Sequence, residues 1–378
     1  MNVREFFFDL PPELIAQEPP PVRGTSRLLH LDRRAGTRAH TTVDRIADLL
    51  DPGDLIVVND TRVFPARLLG RRVPSGGGVE CLLVTRMLAS AQPEASEVAS
   101  NVGSGAASDV ASRFSRTEEI WQALMHPGQK LGPGARVVFD GGGGAMLHGK
   151  VIERHFHGRR SIHLWTGDGR SIQDVVDEIG HTPLPPYIKR GDRADDRERY
   201  QTVFARQRGS IAAPTAGLHF TPEILRSLRD RGVELAHVTL HVGYGTFQPV
   251  RVEHVEDHRL EAEHYEVSAE TAVAIARAKS AGRRVVAVGT TTTRTLEAVA
   301  LANEGRVVAG AGATDLFIYP GFDFTVVGGL LTNFHLPASS LVMLVAAFGG
   351  QQAVMDAYRD AMAERYRFYS YGDAMLIT

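Results

Sequence analysis

Four segments in the second half of the chain combine glycine, threonine and histidine in ways that suit binding and proton transfer. They are Ala213-Pro-Thr-Ala-Gly-Leu-His-Phe220, His241-Val-Gly-Tyr-Gly-Thr-Phe247, Val288-Gly-Thr-Thr-Thr-Thr-Arg294 and Leu331-Thr-Asn-Phe-His-Leu-Pro337. Imidazoles exchange protons near neutral pH. Hydroxyls and backbone N–H groups at a strand-to-helix turn hold anions and sugar oxygens. Three of the four segments read as strand–helix junctions, where such groups face a crevice at the carboxyl ends of strands. Each alone has a plain structural use: threonines cap helices, and a single His219 or His335 is commonly a hydrogen-bonded core residue.

The 15 histidines raise the question of a metal. His237 and His241 have the spacing of a helical zinc pair, as do His254 and His258. His237 and His241 lie on an alternating strand, however, where four residues span roughly 13 Å, so they cannot share one ion. His155 and His157 share a strand face but have no acid or cysteine to complete a set. No metal site is expected. The chain also lacks a G-x-G-x-x-G turn, a P-loop lysine and a G-x-S-x-G elbow, the markers of dinucleotide, ATP and serine-hydrolase sites.

The elements that must carry these segments follow from hydrophobic patterning. Asp54–Asn59 reads as a buried strand after an amphipathic helix at Val43–Leu50. From Arg62 to Lys150 there are short β-like runs separated by glycines, at Ala66–Leu69, Val79–Thr85, Arg136–Phe139 and Leu147–Ile152, which favour a small barrel or sandwich. The Ser/Ala/Gly-rich stretch Ala89–Ser115 lacks apolar periodicity and reads as a loose insertion. After residue 200 strands alternate with helices: Thr221-Pro222 opens a helix that stops at Gly232, Val233–Val242 is a strand, and Ser268 caps a helix ending at Gly282. Arg284–Gly289 is a strand, Thr293–Asn303 a helix, Leu316–Tyr319 a strand, Leu341–Phe348 and Gln351–Tyr366 helices, and Met375–Thr378 a last strand. The expected fold is an α/β main domain with a mixed, largely parallel sheet, formed by residues 1–61 plus 152–378. An all-β barrel-like domain is inserted at 62–151 and carries the insertion at about 89–115.

A length of 378 residues allows two or three domains. The single cysteine, Cys81, excludes a disulfide framework within the chain. No segment resembles a signal peptide, and the longest apolar run, Leu341–Phe348, is too short to span a bilayer. A cytoplasmic protein with no membrane contact and no obligate protein partner is expected. The formal charge of −2 conceals a division: residues 62–160 hold 13 basic and 8 acidic side chains, a surplus of five, against a deficit of seven elsewhere. Arg62, Arg67, Arg71 and Arg72 follow one another without an intervening acid. A phosphate-binding face and a solvated strand face account for them equally well.

At these segments the sequence resembles the S-adenosylmethionine:tRNA ribosyltransferase-isomerases of queuosine biosynthesis. The matching stretches include Phe8-Asp-Leu-Pro11, Ser26-Arg-Leu-Leu29, Val58–Arg67, Thr182-Pro-Leu-Pro-Pro-Tyr187 and Tyr200-Gln-Thr-Val-Phe204. They continue through Ala213–Phe220, Thr239–Val250, Val288–Glu297, Phe317–Phe322, Leu331–Pro337 and Tyr366–Met375, in order along nearly the whole chain. The resemblance implies an α/β domain with an inserted β-barrel. It implies transfer and isomerisation of the ribosyl group of S-adenosylmethionine onto 7-aminomethyl-7-deazaguanine at the tRNA wobble position, giving epoxyqueuosine with release of adenine and methionine. S-adenosylmethionine is then a consumed substrate, and no separate cofactor is expected.

That chemistry asks for a base near the ribose C5′, whose hydrogens the sulfonium acidifies. The candidates are His219, His241, His258, Asp257, Glu261, Glu263 and His335, and the sequence does not order them. Glu261 stands where many family members carry a second histidine. Tyr244 or Phe247 could face the sulfonium. Thr290, Thr291 and Arg294 suit the methionine carboxylate or a ribose hydroxyl, and Thr215, Gly243, Gly245, Thr246 and Asn333 are further substrate-binding candidates. Arg62, Arg67, Arg71 and Arg72 become candidates for tRNA phosphates. Two other readings carry less: a phosphoribosyl-type transferase using the Gly289 turn as its phosphate cradle, and a non-catalytic RNA-binding module.

Overall fold

Alternate residues of the inner strands go to opposite sides of one sheet, and this alternation builds two cores. Leu55, Val57, Val285, Ala287 and Met375 join one apolar cluster, whereas Ile56, Val58, Val286, Val288 and Leu376 join another. A strand whose side chains alternate faces and are all apolar must be covered on both sides. The architecture was obtained as a computed structural model, which describes residues 1–87, 116–243, 245 and 250–378. The expected insertion at 89–115 lies outside the described residues.

The described chain divides into two compact units, Met1–Val63 with Leu184–Thr378, and Phe64–Pro183. In the first, nine described strands form one sheet in the spatial order Gly310–Thr314, Glu263–Val267, Glu234–Leu240, Leu55–Asn59, Val285–Val288, Gly329–Asn333, Ala374–Ile377, Arg27–Asp32 and Thr37–Thr42. Leu55–Asn59 pairs in parallel with Glu234–Leu240 and with Val285–Val288, which is also parallel to Gly329–Asn333. Ala374–Ile377 runs antiparallel to Gly329–Asn333 and parallel to Arg27–Asp32. The sheet is therefore mixed, with a parallel centre.

The helices begin where the sequence supplies caps. Thr221 accepts from Ile224 N ahead of Pro222–Asp230, Ser268 from Thr271 N ahead of Ala269–Ser280, and Ser339 from Val342 N ahead of Ser340–Gly349. The helix expected from Thr293 starts earlier, at Thr290, directly after Gly289, whose φ of 88° is open to glycine at little cost. The strand expected at Leu316–Tyr319 does not form. The strand there is Gly310–Thr314, and the Leu316 carbonyl instead accepts from Arg294 Nε at 2.8 Å.

The second unit is a closed, six-stranded antiparallel barrel of Arg67–Val73, Gly78–Met87, Glu118–His126, Arg136–Asp140, Met146–Arg154 and Arg159–Thr166. Alternate residues such as Leu68, Cys81, Leu83, Ala123, Phe139 and Leu164 fill its interior. Arg159–Thr166 closes the barrel by pairing with both Glu118–His126 and Met146–Arg154. For that reason the unit runs to Pro183, past the boundary of 151 suggested by composition. Among the described residues no single helix is long and apolar enough to cross a membrane.

Candidate active site

Three parallel strands of the first unit deliver their carboxyl ends to one cavity of about 850 Å³, its opening to solvent included. Val242 follows Glu234–Leu240, Gly289, Thr290 and Thr291 follow Val285–Val288, and Thr332, Asn333 and His335 close Gly329–Asn333. The loop at 212–216 and the Tyr187, Tyr369 and Ser370 side chains complete the wall. Gly289 offers no side-chain cap, so the first-turn N–H groups of the Thr290–Ala302 helix remain available at its positive end.

Two features mark the cavity as a place for a polar, flat ligand. The rings of Tyr187 and Tyr369 stack with centroids 4.2 Å apart, and the Tyr187 hydroxyl hydrogen-bonds Ser370 Oγ at 2.5 Å. Burial raises the pKa of both phenols, so they stay neutral. Three buried polar atoms on lining residues, Thr291 Oγ1, Asn333 Oδ1 and the Tyr369 hydroxyl, have no hydrogen-bond partner. Such atoms are costly unless something bonds them. Tyr369 holds a left-handed backbone, φ 74°, anchored by Asn333 Nδ2 donating to its carbonyl at 2.9 Å and by its own N–H donating to Phe334 O at 3.0 Å. A non-glycine residue held in this region is characteristic of functional loops.

His335 lies on this wall. Its Nε2 is 2.7 Å from Thr332 Oγ1, and its backbone N–H donates to the Tyr358 hydroxyl at 3.0 Å. Burial lowers its pKa to about 3, so the imidazole is neutral throughout the physiological range.

The other sequence candidates scatter. Thr215, Thr290, Thr291 and Asn333 line the cavity with His335. His219 lines a separate small pocket with Arg23, Ser26 and Arg199; burial lowers its pKa to about 4, against opposing pulls from Asp373 and from the Asn333 side chain. His241 follows the Glu234–Leu240 strand and is half-buried, with Nδ1 2.9 Å from Thr61 Oγ1. Its ring lies where a side chain on Gly209 would stand, 2.6 Å from the position of a Cβ, which fixes glycine there. Burial and the neighbouring His264 lower its pKa. His258 packs edge-on against Phe317 at 5.0 Å, its pKa lowered by burial and by Arg259.

Glu263 and Arg294 find each other. Arg294 Nη1 donates to Glu263 Oε2 at 2.5 Å, its Nε donates to Leu316 O at 2.8 Å, and Gly243 N–H donates to Glu263 Oε1 at 2.8 Å. Both side chains are 7% exposed. Neither lines the cavity, and Gly243 serves the pair. Gly245 stands near Glu261, while Tyr244, Thr246 and Phe247 lie outside the described residues.

Of the arginines, Arg62 is exposed on its strand in the first unit. In the barrel, Arg67 pairs with Glu80 at 2.8 Å and Arg71 with Asp140 at 2.9 Å, and Arg72 is half-buried. Acids absent from the local sequence arrive on neighbouring strands.

Sequence reasoning passed over Tyr187, Thr332, Tyr369 and Ser370 as site residues. A signal existed, because Tyr187 closes the Thr182–Tyr187 motif and Tyr369-Ser370 lie inside the Tyr366–Met375 motif.

The chain was compared with known proteins. The family model described as queuosine biosynthesis protein matches residues 3–377. An S-adenosylmethionine:tRNA ribosyltransferase-isomerase from Desulfitobacterium hafniense is 45% identical over 378 residues, covering all of both chains. One from Citrifermentans bemidjiense is 47% identical over 377 residues, again across both full lengths. A crystal structure of the S-adenosylmethionine tRNA ribosyltransferase from Thermotoga maritima shares 36% identity, covers 99% of this chain and 100% of that one, and superposes with a TM-score of 0.52.

Proposed function

The chain belongs to the queuosine biosynthesis family of S-adenosylmethionine:tRNA ribosyltransferase-isomerases, and we propose that its chemistry takes place in the cavity walled by Tyr187, Thr291, Asn333, His335 and Tyr369. The donor is S-adenosylmethionine, consumed as a substrate with no separate cofactor, and the acceptor is 7-aminomethyl-7-deazaguanine in the tRNA anticodon. The observation that carries this reading is the set of unpartnered Thr291, Asn333 and Tyr369 oxygens beside a stacked aromatic pair. A nucleoside supplies what these groups lack: a flat ring for the aromatic wall and several donors and acceptors for the oxygens.

His335 is the base we favour for the ribose C5′ proton. Of the seven acid–base candidates it is the one on the cavity wall. Its lowered pKa would disfavour creating a new charge in a buried place. Abstraction from a carbon next to a sulfonium creates none, because the ylide is neutral overall and the positive charge passes from sulfur to imidazole. If the Thr332 hydroxyl accepts from Nε2–H, Nδ1 is left with its lone pair. The C5′ electron pair then forms a C5′=C4′ double bond as C4′–O4′ opens. The ring oxygen forms a carbonyl at C1′ and the C1′–adenine bond breaks, with adenine taking up a proton equivalent to the one His335 removed. Thr215, Thr290 and Thr291 are suited to ribose and carboxylate oxygens at a helix start. Arg62 and Arg72 are the better candidates for tRNA phosphates, since Arg67 and Arg71 already hold carboxylates.

The test is adenine release followed by chromatography. Adenine should appear with S-adenosylmethionine and deazaguanine-bearing tRNA together, and with neither alone. Methylated RNA, or no adenine from verified substrates, would refute the reading.

A further inference from the structure

The small pocket that holds His219 is separate from the cavity, yet Ser370 lines both. The space at its mouth, open solvent included, is about 290 Å³, and its enclosed part is narrow. Three polar atoms of its lining residues are buried without a partner: Ser26 Oγ, Arg199 Nε and His219 Nε2. Ser26 is 2% exposed and His219 4%, so bulk water does not serve them. A guanidinium Nε–H can only donate, a serine hydroxyl can donate, and a neutral imidazole donates from one of its nitrogens.

The charged side chains that line the pocket are two arginines, with Glu198 and Asp373 near its edge. Arg23 donates to the carbonyls of Gln201, Glu198 and Arg199. Arg199 donates through Nη1 to Pro21 O and through Nη2 to Pro20 O. Both guanidinium groups thus rest on backbone oxygens, with no ion pair to a carboxylate among the described residues. Burial and the nearby Arg199 disfavour the charge on Arg23, against opposing pulls from Glu198 and Tyr371. Asp373, which follows Gly372 and acts on His219, is already matched by Arg27 at 3.2 Å and Arg367 at 3.7 Å. Two cations and three unused polar atoms around one small opening ask for a ligand that is negative and carries several acceptor oxygens.

We propose that this pocket is an oxyanion subsite that receives a phosphodiester of the RNA substrate. The identification of RNA rests on the family reading above. It follows from the shared Ser370 wall: a nucleotide whose base enters the cavity carries its backbone phosphate past the adjoining pocket. Arg23 and Arg199 are both half-buried, so their charge can be reached from solvent. His219 then acts as a binding residue beside the cavity and not as the base within it.

The experiment measures the Kd of a fluorescent anticodon stem-loop carrying 7-aminomethyl-7-deazaguanine, across a salt series, for wild type, Arg199→Gln and Ser26→Ala. For Arg199→Gln, Kd should rise about tenfold and the slope of log K against log salt should shrink by about one. Ser26→Ala should weaken binding about threefold. The KM for S-adenosylmethionine should stay within twofold for both. Inorganic phosphate, compared with chloride at equal ionic strength, should displace the stem-loop from wild type and do so less from either variant. Unchanged Kd and slope in folded variants would mean the pocket holds only water, and would overturn the proposal. A rise in KM for S-adenosylmethionine without a change in RNA affinity would also overturn it, assigning the pocket to the methionine carboxylate. If circular dichroism shows Arg199→Gln unfolded, Ser26→Ala and the phosphate displacement decide. Wild type that binds RNA but releases no adenine would refute the family chemistry and leave the subsite to be judged on Kd.

Discussion

Replacing Arg294 by methionine separates a structural role for this residue from contact with substrate. Its guanidinium binds the Glu263 carboxylate and two backbone carbonyls, and both side chains of the ion pair are 7% exposed. Methionine fills the volume but takes the guanidinium away from a buried carboxylate that also accepts from the Gly243 N–H. Removing one member of a buried pair destabilises by about 3–5 kcal/mol, because the remaining charge is uncompensated. Each kcal/mol lowers the melting temperature by about 2–4 °C in a unit of this size, so the midpoint should fall by about 6–20 °C. Exchanging both residues for apolar ones of similar volume, Arg294→Met with Glu263→Met, removes the orphaned charge and should recover most of that loss. The assay is thermal unfolding of the full chain followed by circular dichroism, alongside KM for S-adenosylmethionine measured well below the transition. A single variant that melts like wild type but binds S-adenosylmethionine tenfold worse would refute this reasoning and make Arg294 a substrate ligand.

Three other outcomes are expected. His335→Gln should slow adenine release by about 10²–10⁴-fold with a small change in KM; a variant within threefold of wild type in single turnovers would remove His335 from the chemistry. His219 and His335 stay neutral in the folded protein, with pKa values of about 4 and about 3, while the unfolded chain protonates near 6.5. Their contribution is therefore complete above pH 6.5 and is lost as pH falls toward 4 and then 3, at up to about 1.4 kcal/mol per pH unit for each imidazole. Urea midpoints at pH 7.5 and 5.0 should converge in His219→Gln relative to wild type, and an equal pH dependence in both would contradict this. Glu297 is fully buried and accepts from Thr325 N, Thr325 Oγ1, Val326 N and Val327 N at 2.8–3.0 Å. Glu297→Gln turns an amide NH₂ toward those donors and should cost at least about 2 kcal/mol in urea unfolding; a neutral result would show that the loop at 325–327 adapts.

How far the sequence carried can be seen element by element. The Leu55–Asn59 and Val285–Val288 strands were legible because a run of apolar residues bounded by turn formers has few other uses. Thr221-Pro222 and Gly232 likewise mark the ends of their helix through local chemistry. Glu118–His126 and Arg159–Thr166 were passed over as barrel strands because charged and polar residues interrupt their apolar alternation, and the second of them moves the boundary of the inserted unit. At the site, Thr215, Thr290, Thr291, Asn333 and His335 line one cavity, a proximity that their sequence positions do not reveal. Nothing local distinguishes His335 from His241, since one faces a cavity and the other Thr61 only through the stacking of distant strands. The same limit applies to Arg294 and Glu263, which the sequence offers as two separate functional groups and the fold makes partners. Arg67 and Arg71 looked like an unopposed basic run because their acids, Glu80 and Asp140, lie on adjacent strands.

The strand Ala374–Ile377 lies between Gly329–Asn333 and Arg27–Asp32, and among the described residues it alone joins the Arg27–Thr42 hairpin to the rest of the sheet. It is also the last of the described strands to be translated. On the ribosome, the first hairpin made waits for the last strand made, with more than 300 intervening residues already synthesised. Until then Leu28, Leu29 and Leu31, each fully buried in the finished protein, have no strand to pair with on their inner edge. Vectorial synthesis therefore cannot complete this sheet from the N-terminus onward. Closure of this part of the sheet waits on Ala374–Ile377, and until that strand docks, Gly329–Asn333 and Arg27–Asp32 each keep an exposed β edge.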